Sequence, residues 1–160
     1  MDILIVYISV TGNTEKCARI LGQKLKNTTI VNLMEQDVDI SKYDMIIVGS
    51  PIRIGMFNKT IKKFINNNKE ILINKKVAYY ICCGFNDSYQ EYFKNNMPKE
   101  LLDAAVIYDT FGGEMDLSKQ KGLNKFIVSL VSKNEAGKRE LKILSENIDK
   151  FVEKVSKITC

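Results

Sequence analysis

The sequence predicts a doubly wound α/β fold, a parallel sheet of about five strands with helices on both faces. Three observations carry that expectation. Apolar runs of strand length alternate with helical patterns along all 160 residues. The runs are apolar at consecutive positions, as in strands covered on both faces, and do not alternate as half-wetted strands do. Several of them stop at Ser, Gly or Pro, the punctuation expected where a strand gives way to a loop.

Ile3 to Ile8 is the first strand run and stops at Ser9. From Gly12 to Leu25, residues Cys17, Ala18, Leu21 and Leu25 fall on one helical face. Thr29 to Leu33 reads as a short second strand. Met45 to Gly49 is the third, ending at Ser50-Pro51, where proline is expected to stop the ladder. Phe57, Ile61, Phe64 and Ile65 recur at i, i+4, i+7 and i+8, the mark of an amphipathic helix. Val77 to Cys83 is a fourth strand ended by Gly84, and Ala104 to Phe111 a fifth ended by Gly112-Gly113. Two helical patterns close the chain: Leu123, Phe126, Ile127, Leu130 and Val131, then Leu141, Leu144, Ile148, Val152 and Val155. No repeat, linker or low-complexity segment breaks this order.

Composition narrows the chemistry. Hydrophobic residues at 45% and charged residues at 27% give an ordinary globular balance. No apolar stretch reaches the length needed to cross a bilayer. Met1-Asp2-Ile3-Leu4-Ile5-Val6 reads as a buried strand and not as a signal peptide, so a cytoplasmic protein is expected. Histidine is absent, which excludes Ser-His-Asp and Cys-His catalysis in their usual forms and argues against a zinc site. Cys17, Cys82, Cys83 and Cys160 form no Cys-x-x-Cys pattern and read as reduced thiols. No metal site is expected. The net charge of +5 suits an acidic redox partner, an anionic membrane or nucleic acid. Nucleic-acid binding is expected to show clustered Lys/Arg with interleaved aromatics, whereas the lysines here are spread along the chain, so nucleic acid is not expected.

In a doubly wound sheet, ligands bind beyond the carboxyl ends of the strands where strand order reverses. The first such loop is Ser9-Val10-Thr11-Gly12-Asn13-Thr14, immediately before a helix. Hydroxyls and backbone N–H groups at a helix N-terminus are what a phosphate monoester needs, and Gly12 allows close approach. The loop lacks the Gly-Lys-Ser/Thr ending of a triphosphate loop and the three glycines of a dinucleotide fingerprint. No arginine stands at suitable spacing from Cys82 or Cys83 for a phosphatase, and strand three ends in Gly49-Ser50, not the aspartate of a phosphate receiver. A mononucleotide remains.

The stretch Ile5-Val6-Tyr7-Ile8-Ser9-Val10-Thr11-Gly12-Asn13-Thr14, continued by Ala18 and Leu21, resembles the flavodoxin signature over seventeen residues. The resemblance implies a single flavodoxin-like, FMN-binding domain over residues 1–160. It implies that Ser9, Thr11, Gly12, Asn13 and Thr14 hold the FMN phosphate. It places Ser50, Pro51, Ile52, Arg53, Ile54 and Gly55, with Met56, beside the isoalloxazine ring. It places Cys83, Gly84, Phe85, Asn86 and Asp87 on the ring's other side, where backbone amides and the Phe85 ring are suited to planar flavin. Many flavodoxins present a tryptophan and a tyrosine in these loops. This chain has no tryptophan, which implies a more open flavin or weaker binding.

A second resemblance is narrower. Gly49-Ser50-Pro51-Ile52-Arg53-Ile54-Gly55-Met56-Phe57-Asn58-Lys59, with Phe64, is similar to a loop of flavodoxin-like protoporphyrinogen oxidases, as is Phe111 to Ser118 to their insertion. Pro51 and Ile54 depart from that pattern. The resemblance implies an FMN oxidoreductase of haem synthesis, with a porphyrinogen substrate and a quinone acceptor. The alternatives are a one-electron carrier between redox partner proteins and a binding module without redox activity. Carrier flavodoxins are mostly acidic, whereas this chain is basic and carries Arg53 in the ring loop. A cation there would stabilise the reduced anionic flavin and raise its potential. No general base is evident: Asp87 is the nearby carboxylate, and no catalytic residue is assigned. Lys119, Lys121, Lys125 and Lys133 flank the apolar stripe of the 119–133 helix, a composition that allows peripheral contact with the inner face of a membrane, although a stripe at this spacing more often faces a core.

Overall fold

A computed structural model describes residues 1–114 and 142–159. The chain runs β1 (Ile3–Tyr7), α1 (Asn13–Lys24), β2 (Thr28–Asn32), β3 (Met45–Arg53), β4 (Met56–Phe57) and α2 (Lys59–Asn67). It continues through α3 (Lys69–Asn74), β5 (Lys76–Cys82), α4 (Tyr89–Asn96), α5 (Lys99–Ala104) and β6 (Ile107–Thr110), and closes on α6 (Ser145–Thr159). Five strands are parallel in the order β2-β1-β3-β5-β6, and β4 folds back antiparallel on the end of β3.

Consecutive apolar residues in the central strands feed two cores. Leu4, Val6 and Ile8 face one way with Ile46, Val48, Tyr79 and Ile81, under α2, α4 and α5. Ile3, Ile5 and Tyr7 face the other way with Ile47, Ala78 and Tyr80, under α1 and α6. Burying each large aliphatic side chain stabilises the fold by about 1.5–3 kcal/mol, so a strand apolar on both faces is held from both sides. β2 is the contrast. Of its residues only Val31 is buried, which suits an edge strand.

The crossovers leave β1 toward β2 on one side and enter β3 on the other. Strand order therefore reverses at the carboxyl ends of β1 and β3, where the Ser9–Thr14 loop sits.

Three expectations change. Pro51 does not stop β3, which continues to Arg53 with Pro51 opposite Cys82. The β1 neighbour has ended at Tyr7 opposite Gly49, so at Pro51 one side of β3 is already an edge and a missing N–H is tolerated there. Phe57 belongs to β4 and not to the helix, which starts at Lys59 behind an Asn58 cap whose side chain accepts from the Thr60 amide. The last strand is shorter than the apolar run, Ile107–Thr110, because α5 takes the residues through Ala104. The 119–133 segment proposed for membrane contact, and Met115 to Ser118 of the insertion resemblance, lie outside the described residues. Among the described residues, no helix is long and apolar enough to cross a membrane.

Candidate functional site

The first loop is shaped by Gly12. Its φ of +95° lies in the left-handed region, and a side chain there would be strained although open space surrounds it. The Gly12 amide donates to Ser9 Oγ at 3.1 Å, closing the loop on itself. α1 begins at Asn13, so its first amides have no acceptor within the helix and carry the positive end of its dipole.

Thr14 is the informative residue. It is buried, and its Oγ has no hydrogen-bond partner. The Cys82 thiol lies near enough for the hydroxyl to ease its ionisation, but not in bonding geometry. An unpaired buried hydroxyl costs about 1–3 kcal/mol, and a bound oxyanion would relieve it. The Thr14 carbonyl accepts from the Tyr80 hydroxyl at 2.9 Å, which fixes this turn from beneath. Tyr80 fits only because residue 49 is glycine: a Cβ there would stand 2.2 Å from the Tyr80 ring. Tyr80 stacks on Phe111 at 4.7 Å between centroids, and Phe111 meets Phe151 edge-on at 5.1 Å. The phosphate-type loop therefore rests on an aromatic column.

Asn13 points elsewhere. Its Nδ2 donates to the Glu114 carbonyl at 2.8 Å, its Oδ1 accepts from the Glu114 amide at 3.3 Å, and Lys16 pairs with the Glu114 carboxylate at 2.9 Å. These contacts tie the first loop to the segment after β6. Ser9 is half-buried, and Thr11 and Gly12 are exposed.

The second loop is a tight hairpin. Ile52 pairs with Phe57 and Arg53 with Met56, leaving Ile54 and Gly55 as the turn, with φ of +51° and +70°. Ile54 is 86% exposed at its tip, Arg53 and Met56 are exposed, and Pro51, Ile52 and Gly55 are half-buried. Ser50 is buried, its hydroxyl donating to the Pro51 carbonyl and accepting from the Asn58 amide. Asn96 of α4 grips the hairpin: Nδ2 donates to the Gly55 carbonyl at 2.8 Å and Oδ1 accepts from the Phe57 amide at 3.0 Å.

The third loop is fastened to β6. Thr110 Oγ donates to Asn86 Oδ1 at 2.8 Å and accepts from the Gly112 amide at 3.3 Å, and the Cys83 amide donates to the Gly112 carbonyl at 3.0 Å. Phe85 is left 38% exposed, Asp87 is exposed, and Gly84 and Asn86 are half-buried. Burial raises the Asp109 carboxyl, beside this network, above its ordinary value.

Cys82 and Cys83 are not activated. The neighbouring Cys17 thiol, 3.7 Å away, and then burial push Cys82 well up, and burial pushes Cys83 up. The structure thus gathers the first, second and third loops at the carboxyl end of the sheet. It adds Tyr80, Asn96, Thr110 and Glu114, which sequence reasoning missed because each supports a loop through a contact distant in the chain.

Fold and loop together define a doubly wound α/β protein with a hydroxyl-rich turn entering a helix N-terminus at its switch point. The chain belongs to the flavodoxin family: a model of the Flavodoxin domain matches residues 4–142. It is 35% identical over 105 residues to an uncharacterised protein of Methanocaldococcus jannaschii, covering 64% of this chain and 65% of that one. A flavodoxin of Synechocystis is 26% identical over 152 residues, covering 86% of this chain and 88% of its own. The solved structure of a flavoprotein from Lactobacillus acidophilus in complex with FMN shares the fold. Its TM-score is 0.54 at 19% identity, over 68% of this chain and 92% of that one.

Proposed function

We propose that this chain is one FMN-binding domain over residues 1–160 that transfers electrons in the cytoplasm to a redox partner protein. The observation that carries the reading is the Thr14 hydroxyl, buried and unpartnered at the N-terminus of α1 in a loop rich in donors. Ser9, Thr11 and Thr14 hydroxyls, with the loop amides, hold the phosphate dianion without a cation in the loop. The Arg53–Met56 hairpin and the Cys83–Asp87 loop would hold the ring, with the exposed Phe85 available to stack. FMN, when bound, supplies the redox chemistry by taking up and releasing electrons. The protein binds and orients it, and Arg53 raises its potential.

Fluorescence titration of the flavin-free protein with FMN and with riboflavin, which lacks the phosphate, tests this. Thr14→Val removes the hydroxyl at nearly constant volume. It is expected to weaken FMN binding at least tenfold, as hydrogen bonds to charged groups contribute about 1.5–3 kcal/mol, and to leave riboflavin binding unchanged. Absence of FMN binding by the unmodified chain would overturn the reading.

A second reading, an FMN oxidoreductase related to quinone-linked protoporphyrinogen oxidase, rests on the Gly49 to Lys59 loop, whose tip carries the exposed Ile54. Turnover of protoporphyrinogen with a quinone acceptor would establish it. Two resolved one-electron steps in an anaerobic titration, with no turnover, would leave the carrier.

A further inference from the structure

From Met45 to Lys69 the sequence holds five cations and not one acid. Lys69 pairs with Glu100. Arg53, Lys59, Lys62 and Lys63 enter no ion pair among the described residues. All four lie on or just after the hairpin, and two of its residues, Ile54 and Met56, are apolar side chains 86% and 50% exposed.

The placement of the lysines runs against stability. Lys59 is the first residue of α2, and Lys62 and Lys63 follow at i+3 and i+4 on the same stripe. Lys59 and Lys62 stand in the first turn, at the positive end of the helix dipole, where acids are favoured and cations are disfavoured by about 0.3–1 kcal/mol each. No acid stands in the first turn and no basic residue in the last, the reverse of what the helix alone would select. The apolar face of α2 cannot serve a membrane, because Ile61 and Ile65 are buried in the core. A single-stranded nucleic acid would need exposed aromatics among these cations on which to stack bases, whereas within the 45–69 stretch Phe57 is buried and Phe64 packs against the core.

We propose that Arg53, Lys59, Lys62 and Lys63, around the protruding Ile54 and Met56, form the docking surface for an acidic electron-transfer protein whose contact patch has an apolar centre. Charge complementarity selects the partner and speeds encounter, and the two apolar side chains supply the desolvated centre. The inference rests on the redox reading above and names the face and the charge of the partner.

The test uses an acidic [2Fe–2S] ferredoxin as the probe and a basic c-type cytochrome as control, with binding measured calorimetrically and both proteins oxidised. The triple variant Lys59→Glu, Lys62→Glu, Lys63→Glu is expected to lose about tenfold in ferredoxin affinity at low ionic strength, a difference that disappears above roughly 0.5 M salt, where charges are screened within a few ångström. Its thermal midpoint is expected to rise, because acids now face the helix N-terminus. A generally damaged protein would show the opposite. Equal ferredoxin affinity in variant and wild type overturns the proposal. So does a lysine-dependent preference for phosphatidylserine vesicles or for a single-stranded oligonucleotide over ferredoxin. Because the measurement needs no flavin, ferredoxin binding by a chain that takes up no FMN would refute the flavin reading and leave the docking surface standing.

Discussion

At the scale of single residues, Ile54 is the departure from what the backbone asks. A two-residue hairpin with positive φ at both turn positions strongly favours Asn-Gly or Gly-Gly. Gly55 satisfies this, but Ile54, β-branched and at φ +51°, does not. The left-handed conformation costs such a residue about 1–2 kcal/mol, and a side chain 86% exposed recovers little by burial. Ile54→Asn should therefore raise stability by about 1 kcal/mol, read from the urea midpoint. The same change removes the most exposed apolar side chain of the docking surface, so ferredoxin affinity should fall while stability rises. A variant that is both more stable and fully competent in binding would show that Ile54 has no part in docking. Thr14 is the complementary case, since its unpartnered hydroxyl is a liability in the flavin-free protein and a donor once a phosphate is present.

At the scale of elements, the Arg53–Phe57 hairpin is too small to hold itself, because an isolated two-stranded ribbon is at best marginal in water. Asn96, the last residue of α4, holds both the turn and the returning strand, and it also donates to the Tyr92 carbonyl of its own helix. Asn96→Ala leaves the Phe57 amide and the Gly55 carbonyl without these partners and should cost about 1–2 kcal/mol. The loss should be concentrated in the hairpin, seen as faster amide exchange at Phe57 with β1 and β3 unchanged. Asn96→Asp keeps the acceptor for Phe57 and should restore protection there. Uniformly faster exchange across the sheet would mean that Asn96 supports the whole fold. These contacts also mark what the sequence concealed. β1, β5 and α1 were legible because each declares itself by a local pattern, an apolar run or a face at helical spacing. The two-residue β4 has no period to read, and it was absorbed into the helical pattern that Phe57 happens to continue. α4 and α5 went unread because one presents only Phe93 fully buried and the other only Leu101 and Leu102. The Ser9–Thr14 loop was legible as a contiguous motif, whereas its supports, Tyr80 beneath and Glu114 across, meet it only in three dimensions.

At the scale of the whole molecule, charge sets the response to pH. With no histidine in the chain, few groups titrate between about pH 5.5 and 8, so the thermal midpoint of the flavin-free protein should be nearly flat there. Below that range two opposing effects enter. Asp39, held down by hydrogen bonds from Ser41, Glu100, held down by Lys69, and Glu153, held down by Lys157, have folded values below their unfolded ones. Each contributes stability above its unfolded value that is lost as pH falls through its folded value. Asp109 has the opposite sign. Burial raises its folded value above the ordinary 3.8, so the native state takes up its proton first. Stability from that uptake is gained as pH falls toward 3.8 and is absent at neutrality, where the buried charge is a penalty. Acidification should accordingly lift the midpoint slightly before the three depressed acids bring it down. Asp109→Asn isolates the effect, because an amide oxygen can still accept from the Thr110 amide and from Asn147 Nδ2, as the carboxylate does at 2.7 and 3.2 Å. The variant should melt higher than wild type at pH 7, lose the acid shoulder and converge on wild type near pH 3. A variant less stable than wild type at pH 7 would show instead that the charged form of Asp109 is stabilised by its two donors and by Lys150 more than burial penalises it.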